Sequence, residues 1–419
     1  MSKLDALAKD KDEKAEKLSQ RSKGYMLYLV VFMGLVGLMD NFLSQIESVA
    51  VPYLLADFGI TPETFAFWQG IYGIISFAVF FIAWISDAFG RKKGILLLVL
   101  VLGVPALFIG ITAFTFHLFM ILYAIIITAT LSNMWELPIV EESQPKKRGL
   151  YGGLTFLIGL IPVFAFVGVP IAEAFGWRWT YGVMFFLMLL VIILWFFMKE
   201  PQRWLEAHEE RGHEYLKIKT AFKSLKRKDL KYILIASLVY GVWTVSFKMG
   251  TTWGGHYYMD VIGLTPGGYR SILTIGGLLT MVGALLGGIL MDKLGRNITL
   301  LVGCGGSIIG FVFLGISTLP IFFWMVYLFM PMILAYIMVY FSEIFPTHIR
   351  STCTGITATA ARLSYVLGPL LASTLLIAFP DMGGFWIVAG FLMIIPIFSL
   401  FVKPYETKGK TLEEIQEER

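Results

Sequence analysis

The most constraining feature of the sequence is a series of long apolar segments, separated by short stretches that hold most of the charge. Splitting the 419-residue chain at charges, Gly/Pro clusters and turn residues yields twelve segments. Their approximate limits are 25–55, 65–85, 94–113, 116–140, 150–175, 180–198, 232–261, 269–291, 298–317, 319–345, 351–379 and 385–402. About 20 apolar residues suffice to cross a bilayer as an α-helix. The sequence therefore predicts an all-α membrane protein with twelve transmembrane helices.

Composition and motifs argue against several other classes of protein. With 57% hydrophobic and 15% charged residues, the chain has too few polar side chains for soluble domains of this size. The two cysteines, Cys304 and Cys353, lack a metal-ligand spacing, so we expect no metal site. No H-E-x-x-H, G-x-S-x-G or P-loop motif stands out, which argues against a membrane enzyme, an ATP-driven pump and a bound cofactor.

The basic residues indicate the orientation of the chain. If the N-terminus is cytoplasmic, 30 of the 34 Lys and Arg residues fall on the cytoplasmic side and two, Arg178 and Arg270, fall outside. Because short cytoplasmic loops retain Lys and Arg, we expect both termini in the cytoplasm, at a plasma or inner membrane. The same asymmetry explains the net charge of +5, so no nucleic-acid partner is expected.

The expected domain organisation follows from the same pattern. It consists of a cytoplasmic tail (1–24), a six-helix bundle (25–198), a cytoplasmic linker (199–231), a second six-helix bundle (232–402) and a cytoplasmic tail (403–419). The linker is polar and basic. It either lies on the anionic leaflet through short amphipathic helices or is simply solvated.

Two loop motifs recur at matched positions in the two halves. D-x-x-G-R follows the second and the eighth segment, with an offset of 205 residues, and E-x-x-P followed by a basic residue comes after the fourth and the tenth, with an offset of 201. The residues are Asp87, Gly90, Arg91, Glu142 and Arg148 in the first half and Asp292, Gly295, Arg296, Glu343 and Arg350 in the second. The second half therefore looks like a copy of the first.

With these motifs, the chain resembles the major facilitator superfamily of secondary transporters over its whole length. The run Glu200-Pro201-Gln202-Arg203-Trp204-Leu205 is similar to an element of its sugar-porter and metabolite:proton symporter branch. The resemblance implies two pseudo-symmetric six-helix bundles around a central cavity, which rock to give alternating access.

The resemblance also implies a role for the charged loop residues. Arg91, Glu142 and Arg148 in the first half, and Arg296, Glu343 and Arg350 in the second, would form a cytoplasmic latch. The pairs of the latch would form in the outward-facing state and break when the transporter opens to the inside. The alternative is permanent pairing at helix ends, with no role in switching.

Ionisable residues inside apolar segments are costly and therefore indicate function. Asp40, Glu47 and Glu136 lie in the first half, whereas Lys248 and Arg362 lie in the second, which suggests a site between the halves. In one interpretation, Asp40 or Glu136 carries a proton and Lys248 or Arg362 binds an anionic group of the solute. In the other, these residues form structural ion pairs and neutral groups hold the solute.

Aromatic residues on the segments expected to line the cavity are further candidates for solute contact: Trp135, Trp243, Trp253, Tyr257 and Tyr365. The Q-Q-x-S-G-x-N element of sugar porters is replaced by residues 245–250, and the tenth segment lacks the expected Pro-Trp. The sequence thus favours proton-coupled symport of an organic anion by a monomer. The alternatives are uniport or antiport of a sugar or another neutral or cationic metabolite, and a solute receptor that does not transport.

Overall fold

The computed structural model describes residues 21–132, 134–143, 147–202, 204–205, 209, 227–345, 350–402, 406–410 and 414–415. Within these residues, twelve helical spans are long and apolar enough to cross a membrane, which confirms the predicted number. Spans 1 to 12 are Lys23–Gln45, Pro62–Phe89, Arg91–Thr112, Phe116–Glu142, Leu150–Phe175, Arg178–Trp195, Arg227–Val261, Pro266–Lys293, Arg296–Leu314, Pro320–Phe341, Cys353–Ala378 and Gly383–Phe401. The fold is an all-α membrane bundle, and its outer surface exposes many Leu, Ile and Phe side chains.

Local signals explain where several helices begin. The Ser22 and Thr265 hydroxyls accept hydrogen bonds from the Tyr25 and Gly268 N–H groups, at 3.2 Å each, and so cap the first turns of spans 1 and 8. Span 7 begins at Arg227, inside the predicted linker 199–231. Most of that linker, and most of both predicted tails, lies outside the described residues.

Several spans are interrupted, and these breaks determine where backbone groups become free. Span 1 bends at Ile46 and continues as Glu47–Phe58. Span 2 contains a 3₁₀ segment, Gly73–Ala78. Span 4 consists of Phe116–Ala129, a 3₁₀ turn at Met134–Glu136 and a short helix, Leu137–Glu142. Within a membrane such breaks need other groups to satisfy the backbone.

Spans 1–6 form the first half and spans 7–12 the second. We call the side where span 1 begins and span 12 ends the terminal face. The halves meet towards the opposite face: Glu47–Phe58 packs on span 7, the first part of span 2 on the last part of span 11, and the last part of span 5 on span 8.

Glycines allow the halves to approach closely at this interface. A Cβ atom at Gly255 would collide with the main-chain carbonyl of Ser48, and one at Gly73 would collide with that of Tyr365. Both neighbours are backbone atoms of the other half and cannot rotate away. The described contacts therefore hold the bundle closed at the opposite face.

Candidate functional site

The five ionisable residues identified within the spans fall into two groups. Asp40, Glu47 and Arg362 are 4%, 1% and 5% exposed, and the Lys248 side chain is 14% exposed. Glu136 is half-buried in the 3₁₀ turn of span 4. Asp40 and Arg362 bind the broken part of span 4, on which Glu136 lies, whereas Glu47 and Lys248 lie together between spans 1 and 7.

Asp40 binds the broken segment of span 4. Its Oδ1 accepts a hydrogen bond from the Leu131 N–H at 2.7 Å, and its Oδ2 accepts one from the indole N–H of Trp135 at 3.1 Å. Leu131 has a φ of 52°, a left-handed conformation that is rare for a residue with a branched side chain. Trp135, predicted to contact solute, is thus a partner of Asp40 in this structure.

Arg362 reaches from the second half to the same segment. Its guanidinium donates to the carbonyl oxygens of Ile127 at 3.0 Å and Thr130 at 2.7 Å. It also lies over the ring of Tyr365, 5.2 Å from the centroid. The charge of Arg362 is therefore directed at carbonyl dipoles of the first half.

Glu47 and Lys248 form an ion pair between the two halves. The Lys248 ammonium lies 3.3 Å from Glu47 Oε2 and donates to the Ser44 carbonyl at 2.7 Å. The hydroxyl of Thr252 donates to Glu47 Oε2 at 2.8 Å, and the amide of Gln69 donates to Glu47 Oε1 at 2.9 Å. Lys248, predicted to bind an anionic solute, already has an anionic partner in the protein.

A small, partly open cavity lies beside this pair. Its open space is about 20 Å³, room for roughly one water molecule. It is lined by Gln69, Tyr123, Ile127, Thr244, Val245, Lys248, Met249, Thr252, Trp253, Ser364, Tyr365, Gly368, Pro369 and Ala372. This space is too small for a solute of several heavy atoms, and its lining comes from both halves.

The cavity includes some of the predicted solute contacts and not others. Trp253 and Tyr365 line it. Trp243 instead donates to the Met330 carbonyl at 2.9 Å, and Tyr257 donates to the Leu314 carbonyl at 3.2 Å, so both pack within the second half. Both rings are buried there as part of the core.

The polar residues of this site that sequence reasoning missed include Gln69, Tyr123 and Thr252. The Gln69 amide donates to the Tyr123 hydroxyl at 3.1 Å as well as to Glu47. Gln69 could have been identified from the sequence, because an unpaired amide within an apolar span is costly in hydrocarbon. Tyr123 and Thr252 carry no such signal, since neither carries a charge or a full amide.

The two halves carry matching charged clusters at the terminal face. In the first half, Arg91 donates to Asp87 and, at 3.0 Å, to Glu141. In the second half, Arg296 lies 2.7 Å from Glu343 and 3.8 Å from Asp292. Each cluster lies within one half. The side chains of Arg148 and Arg350 are outside the described part of the chain, so their predicted place in the latch is untested.

The structure corrects the predicted partner of Arg91 from Glu142 to Glu141. Glu142 instead accepts two hydrogen bonds from the Arg21 guanidinium, at 2.9 and 3.2 Å, and one from the Gln202 N–H at 2.9 Å. Consecutive residues of a helix point about 100° apart, so one of the two carboxylates faces Arg91 and the other faces away.

Each D-x-x-G-R turn also holds a carboxylate that the sequence analysis assigned no role. Glu200 accepts from the Lys92 N–H at 3.2 Å, and Glu406 accepts from the Arg296 and Asn297 N–H groups at 2.7 and 2.8 Å. The turns need glycine, because Gly90 and Gly295 have φ of 112° and 103°. A carboxylate at these helix N-termini is favourable because the N–H groups there are otherwise free.

Comparisons with known proteins agree with this architecture. The sequence profile of the Major Facilitator Superfamily matches residues 30–340. The arabinose-proton symporter of Bacillus subtilis (strain 168) is 24% identical, over 94% of this chain and 95% of that protein. The cis,cis-muconate transport protein of Acinetobacter baylyi (strain ATCC 33305 / BD413 / ADP1) is 25% identical, over 77% of this chain and 81% of that protein.

Among solved structures, the inward open conformation of the xylose transporter XylE from E. coli matches with a TM-score of 0.71. That match has 19% sequence identity and covers 94% of this chain and 99% of the other. The fold is thus shared along nearly the whole length. Since the family profile also covers most of the chain, the protein is a membrane transporter that belongs to the Major Facilitator Superfamily.

Proposed function

We propose that the protein is a proton-coupled symporter of a small, neutral, polyhydroxylated solute of the sugar class, with Asp40 as the proton carrier. The observation that carries the proposal is the pair of neutral N–H groups, from Leu131 and Trp135, that binds the buried Asp40 carboxylate. Because no cation bonds directly to Asp40 in these contacts, its protonation does not leave an unpaired positive charge beside it. Glu47 differs, since its protonation would leave the Lys248 ammonium unpaired in a buried site.

Charge and lining support a neutral solute. The Lys248 ammonium is paired with Glu47, so it has less attraction left for an anion. Other lining residues offer hydroxyl and amide groups: Gln69, Tyr123, Thr244, Thr252, Ser364 and Tyr365. Such groups match hydroxylated solutes by hydrogen bonding. The arabinose-proton symporter named above is consistent with this class.

An organic carboxylate is the second candidate, and it was the class favoured by the sequence. Lys248 lines the cavity, and one relative is named as a cis,cis-muconate transport protein. A carboxylate would have to displace Glu47 from Lys248, or bind after Glu47 takes up a proton. Each route adds an energetic cost that a neutral solute avoids.

Transport follows from alternate separation of the two halves at the two faces. Contacts at the opposite face are formed in this structure, so entry from that side requires them to separate. The distribution of Lys and Arg supports cytoplasmic termini, which makes the opposite face the outer one. We expect the unit of transport to be the monomer, because the central site lies between the halves of one chain.

The test is solute uptake by purified protein in proteoliposomes with an imposed inward proton gradient. Pentoses, hexoses, polyols, dicarboxylates and amines are compared while a dye reports the lumenal pH. Uptake of a polyhydroxylated solute with matched lumenal acidification is the expected result. Uptake unaffected by the gradient would exclude symport, and uptake restricted to carboxylates would exclude the sugar class. Binding without uptake would indicate a receptor.

A further inference from the structure

Two side chains from different halves hold the two ends of a missing helical hydrogen bond in span 4. In a regular α-helix the N–H of each residue donates to the carbonyl four residues earlier, which would join Leu131 to Ile127. In the structure the Leu131 N–H donates to Asp40 at 2.7 Å, and the Ile127 carbonyl accepts from Arg362 at 3.0 Å. Asp40 lies on span 1, and Arg362 lies on span 11.

The broken segment is strained and depends on these partners. Leu131 has a left-handed φ of 52°, which is unfavourable for any residue with a β-carbon. Arg362 also binds the Thr130 carbonyl at 2.7 Å, a second acceptor that the break leaves free. Without these side chains, the buried polar groups of the break would favour return to a regular helix.

We propose that Asp40 and Arg362 together hold span 4 open, and that protonation of Asp40 returns the Leu131 N–H to the Ile127 carbonyl and displaces Arg362. A carboxylate accepts a stronger hydrogen bond than a protonated carboxyl group, so protonation weakens the hold on Leu131. The Ile127 carbonyl has two lone pairs and also accepts from the Thr130 hydroxyl at 3.1 Å. The returning N–H therefore competes with Arg362 for this oxygen.

The consequence is a link between one proton and the contact between the halves. Arg362 bonds the second half to the first, so its displacement favours separation at the opposite face. The ionisable groups coupled electrostatically to Asp40 include the cations Arg362 and Lys248, the carboxyl group of Glu136 and the phenol of Tyr240. Arg362 is the member of this set that also binds the broken segment.

The inference rests on the proposed role of Asp40 and is tested without solute, so its failure would leave proton-coupled transport to be judged separately. Spin labels at Phe114→Cys and Ile316→Cys, exposed to 75% and 69%, report the distance between the halves at the opposite face. In the full-length protein, acidification should shift the distance distribution to longer values. Asp40→Asn should give the acidic distribution at every pH.

Two variants test the backbone step itself. In Leu131→Gly, glycine adopts the left-handed conformation without strain, so the break should persist at acidic pH. Acidification should then move roughly fivefold less, or even less, of the population to the longer distances than in the wild type. Arg362→Lys has a single ammonium that replaces the two-pronged contact with Ile127 and Thr130. It should shift the distribution to longer distances in alkaline buffer and lose most of the response to pH.

The matched control is Ser373→Ala, which removes the hydrogen bond from the Ser373 hydroxyl to the Glu63 carbonyl, at 2.8 Å, another contact between the halves. This variant should keep the full pH response, because it does not touch span 4. A wild-type pH response in Asp40→Asn, or in both Leu131→Gly and Arg362→Lys, would overturn the inference. If Leu131→Gly does not fold, the pH response of Arg362→Lys alone tests the backbone step, and a wild-type response would overturn the inference.

Discussion

The Lys248 ammonium on span 7 lies 3.3 Å from the carboxylate of Glu47 on span 1, so one ion pair joins the two halves beside the central cavity. Thr252 and Gln69 hold the carboxylate from the second and the first half, respectively. Breaking a buried pair by removing one partner typically costs about 3–5 kcal/mol, because the other charge remains unpaired. We therefore expect the pair to contribute to stability and, under the proposed function, to the choice of solute.

Replacing Glu47 by Gln should make the site attract anions. The change leaves the Lys248 ammonium without its counter-ion, and a solute carboxylate can take that place. We expect carboxylates to compete at least about tenfold better than in the wild type, equivalent to roughly 1.4 kcal/mol. The measurement is competition of carboxylates against the transported solute in proteoliposomes.

Thr252→Val is the matched control for this prediction. It removes the 2.8 Å hydrogen bond to Glu47 but keeps both charges. The ranking of ligands should therefore stay as in the wild type. An unchanged ranking in Glu47→Gln would show that Lys248 does not select among solutes by charge.

Glu141 and Glu142 should have different effects, although they are adjacent and chemically identical. Glu142 binds Arg21 through two hydrogen bonds, whereas Glu141 binds Arg91. Glu142→Gln should therefore release the Arg21 side chain and increase the rate of tryptic cleavage after Arg21 about tenfold. This factor corresponds to a loss of roughly 1.4 kcal/mol in the free energy that holds Arg21 in place. Glu141→Gln should leave that cleavage near the wild-type rate. Equal cleavage in the two variants would contradict the assigned pairing.

Glycine at position 255 should be essential for closure at the opposite face. An alanine there would place its β-carbon against the Ser48 carbonyl of the other half. We expect Gly255→Ala to lower the transport rate at least about tenfold while the protein remains folded, because closure becomes sterically costly. The measurement is initial uptake in proteoliposomes, beside a thermal melt.

Gly267→Ala serves as the control, since a β-carbon at Gly267 meets no atom within 4 Å. Its transport rate should match the wild type. Wild-type transport by Gly255→Ala would mean that the closed contact in this structure is not a step of the cycle.

The spans were predictable because bilayer thickness alone sets their length and apolar character. The halves were predictable because Gly90 and Gly295 must occupy equivalent turns. The partner of Arg91 was not, because the orientation of Glu141 and Glu142 depends on the break and the 3₁₀ turn earlier in span 4. No local sequence signal marks Leu131 as a left-handed residue.

The pairing of Glu47 with Lys248 was also beyond the sequence. Both residues were recognised as ionisable groups inside spans, but 201 positions separate them. Their contact depends on how Glu47–Phe58 packs on span 7, which is a property of the interface between the halves. For the same reason, the sequence alone did not reveal that Lys248 has an anionic partner within the protein.

The most direct test of proton coupling compares Asp40→Asn with the wild type in two assays on the same proteoliposomes. One assay measures uphill solute accumulation driven by an inward proton gradient, and the other measures counterflow exchange without a gradient. Asparagine keeps an oxygen for the Leu131 N–H but cannot take up a proton at physiological pH. Loss of accumulation with preserved counterflow is the predicted result. Undiminished uphill accumulation by Asp40→Asn would contradict the account.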